Sequence, residues 1–113
     1  MTATQDNLRS AEPLNLSYRI SATGTVIVAI GGELDIATAD LAVTYVKQVI
    51  DQRHGPVIAD LAALRFCDAQ GLSALLRIAG YAQQAGCPFQ LASPSKSLVK
   101  ILRITRLDHR FLT

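Results

Sequence analysis

The run Thr25-Val26-Ile27-Val28-Ala29-Ile30 is continuous, largely β-branched and closed by Gly31-Gly32, and two further runs that read as strands follow it, Pro56 to Leu61 and Phe89 to Ala92. Each later run is reached through a stretch with helical spacing. From about Thr38 to Arg53, the residues Ala42, Tyr45, Val46, Val49 and Ile50 recur on one helix face, and Gly55-Pro56 ends the segment. Leu72, Leu75, Leu76, Ala79 and Ala82 do the same in a second segment that ends near Gly86. Strands separated by helices of this length pair in parallel through right-handed crossovers. Ahead of the first run, Leu14 to Ile20 alternates apolar and polar and Ser21 to Gly24 supplies a turn, so the chain opens on a hairpin that adds one antiparallel strand. Behind the last run, Ser95 is an N-cap candidate for a final helix with the stripe Leu98, Ile101 and Leu102. The order ββαβαβα predicts an α/β domain: a mixed, mostly parallel four-stranded sheet covered by helices. Its globular part is residues 14–113, and residues 1–13, polar and without period, read as a flexible arm ending at Pro13.

Composition narrows the function. The 113 residues suffice for one core, and half are apolar against 18% charged, which excludes a disordered segment. A net charge of +2 with no Trp falls short of the clustered cations and aromatics of a nucleic-acid binder. No apolar run reaches the roughly 18 residues of a membrane span. The first thirty residues carry no signal pattern and two cysteines are too few for a secreted disulfide scaffold, so the expected compartment is the cytoplasm. His54 and His109 stand far apart with no clustered ligands, and neither a P-loop nor a dinucleotide fingerprint is present; no metal and no cofactor are expected.

The stretch Asp60 to Leu72 runs from a strand through a loop into a helix with Asp68 at the N-cap position. A helix start there presents unpaired N–H groups near Gln70 and Gly71, favouring an anion or an acidic surface, while capping is the plainer role of Asp68. Gly32-Glu33-Leu34-Asp35, the stretch from Asp60 to Leu72, and Pro94 followed by Leu98 to Leu102 and Leu107-Asp108, in this order and spacing, resemble the STAS domains, and within them the bacterial anti-sigma factor antagonists. The resemblance spans about residues 14–111. It implies a protein-binding module that engages a cytoplasmic anti-sigma factor of histidine-kinase-like ATPase fold and so releases a sigma factor, regulating transcription without chemistry of its own. In the family the helix-opening loop reads Asp-Ser-Ser-Gly or Asp-Ser-Thr-Gly, and its second hydroxyl residue is phosphorylated by the anti-sigma factor. This chain has Asp68-Ala69-Gln70-Gly71. Gln70 stands at the phosphoacceptor position and accepts no phosphoryl group; being neutral, it is closer to the unphosphorylated form. The implied partner surface is Glu33, Asp35, Cys67, Asp68, Ala69, Gln70, Gly71 and Ser73.

Plainer readings stand beside these. Glu33 and Asp35 are loop residues at the C-terminal edge of a parallel sheet, where α/β folds assemble sites, or simply turn formers. Cys67 is a buried structural thiol or, if its loop were catalytic, a nucleophile; the loop lacks the anion-binding Arg that chemistry needs, since none follows Cys67 before Arg77. Cys67 and Cys87 fall at opposite ends of the sheet, out of disulfide reach. Lys96, Lys100, Arg103, Arg106 and Arg110 against Asp108 make the last helix basic, a solvated face or a patch for an acidic partner. STAS domains, which the chain resembles, also serve as subunits of lipid-transport ATPases and as parts of stress-signalling scaffolds, which are the alternative readings, and a homodimer stays open.

Overall fold

The computed structural model describes residues 9–11 and 13–111. Its elements are β1 (Arg9–Ala11), β2 (Leu14–Ile20), β3 (Val26–Leu34), α1 (Ala39–Gln52), β4 (Val57–Asp60), β5 (Leu64–Cys67), α2 (Ala69–Gln84), β6 (Phe89–Ala92), α3 (Lys96–Ile104) and α4 (Asp108–Phe111). The expected hairpin pairs from Leu14↔Gly32 to Ile20↔Val26. Its turn closes where the Ser21 Oγ accepts the Thr25 N–H at 3.1 Å. β3, β4 and β6 then pair in parallel, and the sheet runs β1-β2-β3-β4-β6.

Two strands go beyond the four expected. Most of the segment 1–13, expected from its sequence to be an arm, lies outside the described residues, but Arg9–Ala11 within it pair antiparallel with Leu14–Leu16 as β1. The second addition is β5. β3 is nine residues long, and β4 occupies only Val26 to Ala29 along its edge. After Asp60 the chain turns, Leu64 N–H donating to the Leu61 carbonyl, and returns to the same edge of β3 so that β5 pairs with Gly32, Glu33 and Leu34. One side of β3 thus carries two short parallel strands in succession. A register shift at Gly32/Glu33 accommodates the junction. Gly32 itself has φ +90°, and an added Cβ would strike the Pro13 carbonyl, so only glycine fits there.

Both crossovers step the same way across the sheet, from β3 to β4 and from β4 to β6, which for right-handed connections places α1 and α2 on one face. Burial follows that asymmetry. Across the strands, Tyr18, Val28, Ala59 and Leu91 lie in register and are buried, whereas the next row, Ser17, Ala29, Asp60 and Ala92, is half-exposed. The single apolar core joins the buried row to Val46 and Ile50 of α1, Leu75 and Ile78 of α2, Leu98 and Leu102 of α3 and Phe111 of α4, and leaves out Ile27 and Ile58 of the other face. The helices therefore cover the sheet on one side. Of the expected last-helix stripe, Leu98 and Leu102 are buried but Ile101 is 39% exposed. Phe111, on a final turn that sequence spacing does not announce, meets Phe89 edge-on at 6.5 Å.

Candidate functional site

At the C-terminal edge of β3 and β5, two chain segments meet at one carbonyl. Asp68 is extended (φ −94°, ψ −168°) and its Oδ1 accepts the Gly71 N–H at 2.9 Å, capping α2. Its own N–H donates to the Leu34 carbonyl at 3.3 Å. Gly71 packs on that same carbonyl. A Cβ at position 71 would overlap the Leu34 oxygen and come within 2.8 Å of the Cys67 Sγ, so the first turn of α2 rests on the end of β3 only because residue 71 has no side chain.

The loop leaving β3 is fastened separately. The Thr38 hydroxyl donates to the Glu33 carbonyl at 2.9 Å and accepts the Asp35 N–H at 2.9 Å, while Asp35 Oδ1 accepts the Ala37 N–H at 3.0 Å. Thr38 is buried, 4% exposed, and is the pin of this turn. Its role escapes a reading of the sequence, although the spacing Asp35-x-x-Thr38 of two short polar side chains is the pattern that makes such reciprocal bonds.

The expected partner-facing residues separate by exposure. Ala69, Gln70 and Ser73 are exposed, Glu33, Asp35, Cys67 and Asp68 are half-buried, and Gly71 is buried. The structure brings all of them to one edge, with Gly71 as a support beneath the surface. Two residues not anticipated belong to the same edge: Ile36, 76% exposed in the fastened loop, and Phe66, 50% exposed on β5 opposite Glu33. An isolated apolar residue between Asp35 and Ala37, outside any helical stripe, was the available signal for Ile36. The edge carries the carboxylates of Glu33, Asp35 and Asp68, the neutral amide of Gln70 and two exposed apolar side chains, Ile36 and Phe66.

Burial, and secondarily the Asp68 charge, push the Cys67 thiol up to about 11. Held protonated, it is a poor nucleophile at neutral pH. Burial also raises the Cys87 thiol, whose Sγ lies 3.5 Å from the Gly55 carbonyl at the opposite edge of the sheet; both cysteines are free. Among the described residues, no three His, Cys, Asp or Glu side chains assemble as a metal site, and no helix is long and apolar enough to cross a membrane.

Comparison with known proteins identifies the fold and the family. No curated protein sequence matches the chain significantly. Among solved structures, the chain is similar to an anti-sigma factor antagonist from Mycobacterium paratuberculosis (TM-score 0.76, 21% identity, covering 93% of this chain and 88% of that one). It is also similar to the unphosphorylated Bacillus anti-sigma factor antagonist SpoIIAA (TM-score 0.70, 19% identity, 86% and 85%). A third likeness is to the murine Solute Carrier 26 family member A9 anion transporter (TM-score 0.60, 18% identity, 76% of this chain and 14% of that one). The STAS domain family profile matches residues 19–113, which takes in every helix and all of the sheet from β3 onward. The chain belongs to the STAS domain family.

Proposed function

We propose that the chain is an anti-sigma factor antagonist that binds a cytoplasmic anti-sigma factor of histidine-kinase-like ATPase fold and frees its sigma factor by competition. The observation that carries this reading is the exposed start of α2, capped by Asp68 and seated on the Leu34 carbonyl, in a fold shared with antagonists of that name. Glu33 and Asp35 would contribute to the same contact from the neighbouring loop. Since residue 70 is an amide, binding is not switched by phosphorylation there. A phosphate at this position would add about −1.5 to −2 charge beside Asp68, a change the native side chain cannot undergo.

Binding of the cognate anti-sigma factor, followed by calorimetry and by sigma release, tests this. The native chain should bind and stay unmodified when the partner is given ATP. The Gln70→Ser variant should become a phosphoacceptor if the partner retains kinase activity, and Gln70→Glu should bind at least about tenfold more weakly, because it puts a charge on an acidic edge. Equal binding by both variants would remove Gln70 from the interface. The likeness to part of an anion transporter keeps a second reading in view, a STAS subunit of a membrane transporter such as a lipid-transport ATPase. Co-purification with a membrane ATPase rather than with an anti-sigma factor would select it.

A further inference from the structure

The outward side of α3 is a second surface, on another element and of opposite charge. Lys96, Val99, Lys100, Arg103 and Ile104 occupy positions i, i+3, i+4, i+7 and i+8, so they share one helix face, and with Pro94 they line a groove of about 360 Å³. Val99 is half-buried at its floor and Ile104 is 70% exposed. The helix contains no acidic residue, and none of Lys96, Lys100 and Arg103 forms a salt bridge among the described residues. Lys96 to Arg103 spans about 10 Å of helix axis.

We infer that this groove docks an acidic amphipathic helix of a partner protein, with carboxylates one and two turns apart over Lys96, Lys100 and Arg103 and an apolar side chain between them on Val99 and Ile104. Charge complementarity names the occupant. A groove that follows a helix axis, with cations along it and an apolar floor, takes a row of side chains at helical spacing. A bilayer would need α3 to offer a broad apolar face; Leu98 and Leu102 are turned into the core, and the Ile101 and Ile104 left outside are too few to make one. Nucleic acid would want aromatic platforms, and the groove has none. This surface is independent of the antagonist reading, which concerns the start of α2.

The test uses the full chain and a fluorescein-labelled synthetic 18-residue peptide, helical in solution, with Leu on one stripe and Glu on both flanks, read by anisotropy at low and high salt. Binding should weaken at high salt, and the same peptide with Gln for Glu should bind at least about tenfold more weakly. Lys100→Glu together with Arg103→Glu should cost about tenfold or more, and Ile104→Ser about threefold. Arg19→Glu, a charge reversal on the exposed side of β2, should stay within about twofold. A loss for Arg19→Glu equal, per charge reversed, to that of the Lys100→Glu, Arg103→Glu pair would reduce the effect to net charge and overturn the proposal. So would equal binding of the Gln peptide. Sedimentation with phosphatidylglycerol vesicles that depends on Lys100 and Arg103 and is not displaced by the peptide would overturn it in favour of an anionic bilayer.

Discussion

Alanine at position 71 adds one methyl group, yet that group has nowhere to go: the Leu34 carbonyl and the Cys67 sulfur already fill the space. Gly71→Ala should lower stability by about 1–3 kcal/mol in urea unfolding, and the amide resonances of residues 33–38 should shift along with those of α2. Asp68 separates cap from contact. Asp68→Ala removes the acceptor for the Gly71 N–H and should cost about 1 kcal/mol, whereas Asp68→Asn keeps a capping oxygen and most of the stability. A partner that reads the charge will bind the Asn variant more weakly all the same. The thiol of Cys67 gives a pH test. Its folded value, about 11, lies above the ordinary 9.0, so the folded state favours the protonated form. The associated stability is fully present below pH 9 and is lost as pH rises through about 11. Iodoacetamide should modify the native protein very slowly at pH 7.5 and progressively faster towards pH 11, while the unfolded chain reacts readily near pH 9. Rapid native alkylation at pH 7.5 would contradict the burial described for this side chain.

The helices α1 and α2 were legible in the sequence because each repeats its apolar residues over three or four turns, and a pattern that long is hard to mistake. β5 was not. Leu64-Arg65-Phe66-Cys67 is four residues with both middle ones exposed, and what makes it a strand is the length of β3, whose far half was left unpaired by β4. The same holds for the site. Asp68 as a cap could be read from its place before a helix, but Leu34 contributes through its carbonyl and Thr38 through a hydroxyl turned inward, and a main-chain acceptor leaves no mark on residue type. α3 shows how one element can be half legible. Its inward stripe follows from spacing, while Ile101 and Ile104 share the apolar type and remain exposed. The two sides should separate experimentally: Leu102→Ala, at a fully buried position, should cost about 2–5 kcal/mol, and Ile104→Ser should stay within about 0.5 kcal/mol. A large loss for Ile104→Ser would place that residue in the core and close the proposed groove.

Across the whole molecule, both burial and charge are lopsided. The helices share one face of the sheet, so residues of equal hydrophobicity on neighbouring positions of the strands should differ in weight. Ile30→Ala, on the covered face, should cost about 2–5 kcal/mol, and Ile58→Ala, half-exposed on the other, about 1 kcal/mol or less. Similar losses at both would mean that the second face is also covered. Charge divides along the chain: residues 96–110 hold five basic residues and one acidic, and the remainder holds six basic and eight acidic. A molecule built this way can present opposite signs to different partners with a net charge of only +2. The shared Leu34 carbonyl has one more consequence, which concerns variation. What shapes the edge is a main-chain oxygen, a glycine and a buried threonine, all lying beneath the surface, while residues 69, 70 and 73 stand above it with no duty to the fold. These positions are interchangeable letters on a fixed page: a hydroxyl or an amide at residue 70 alters what a partner reads, and the page keeps its shape.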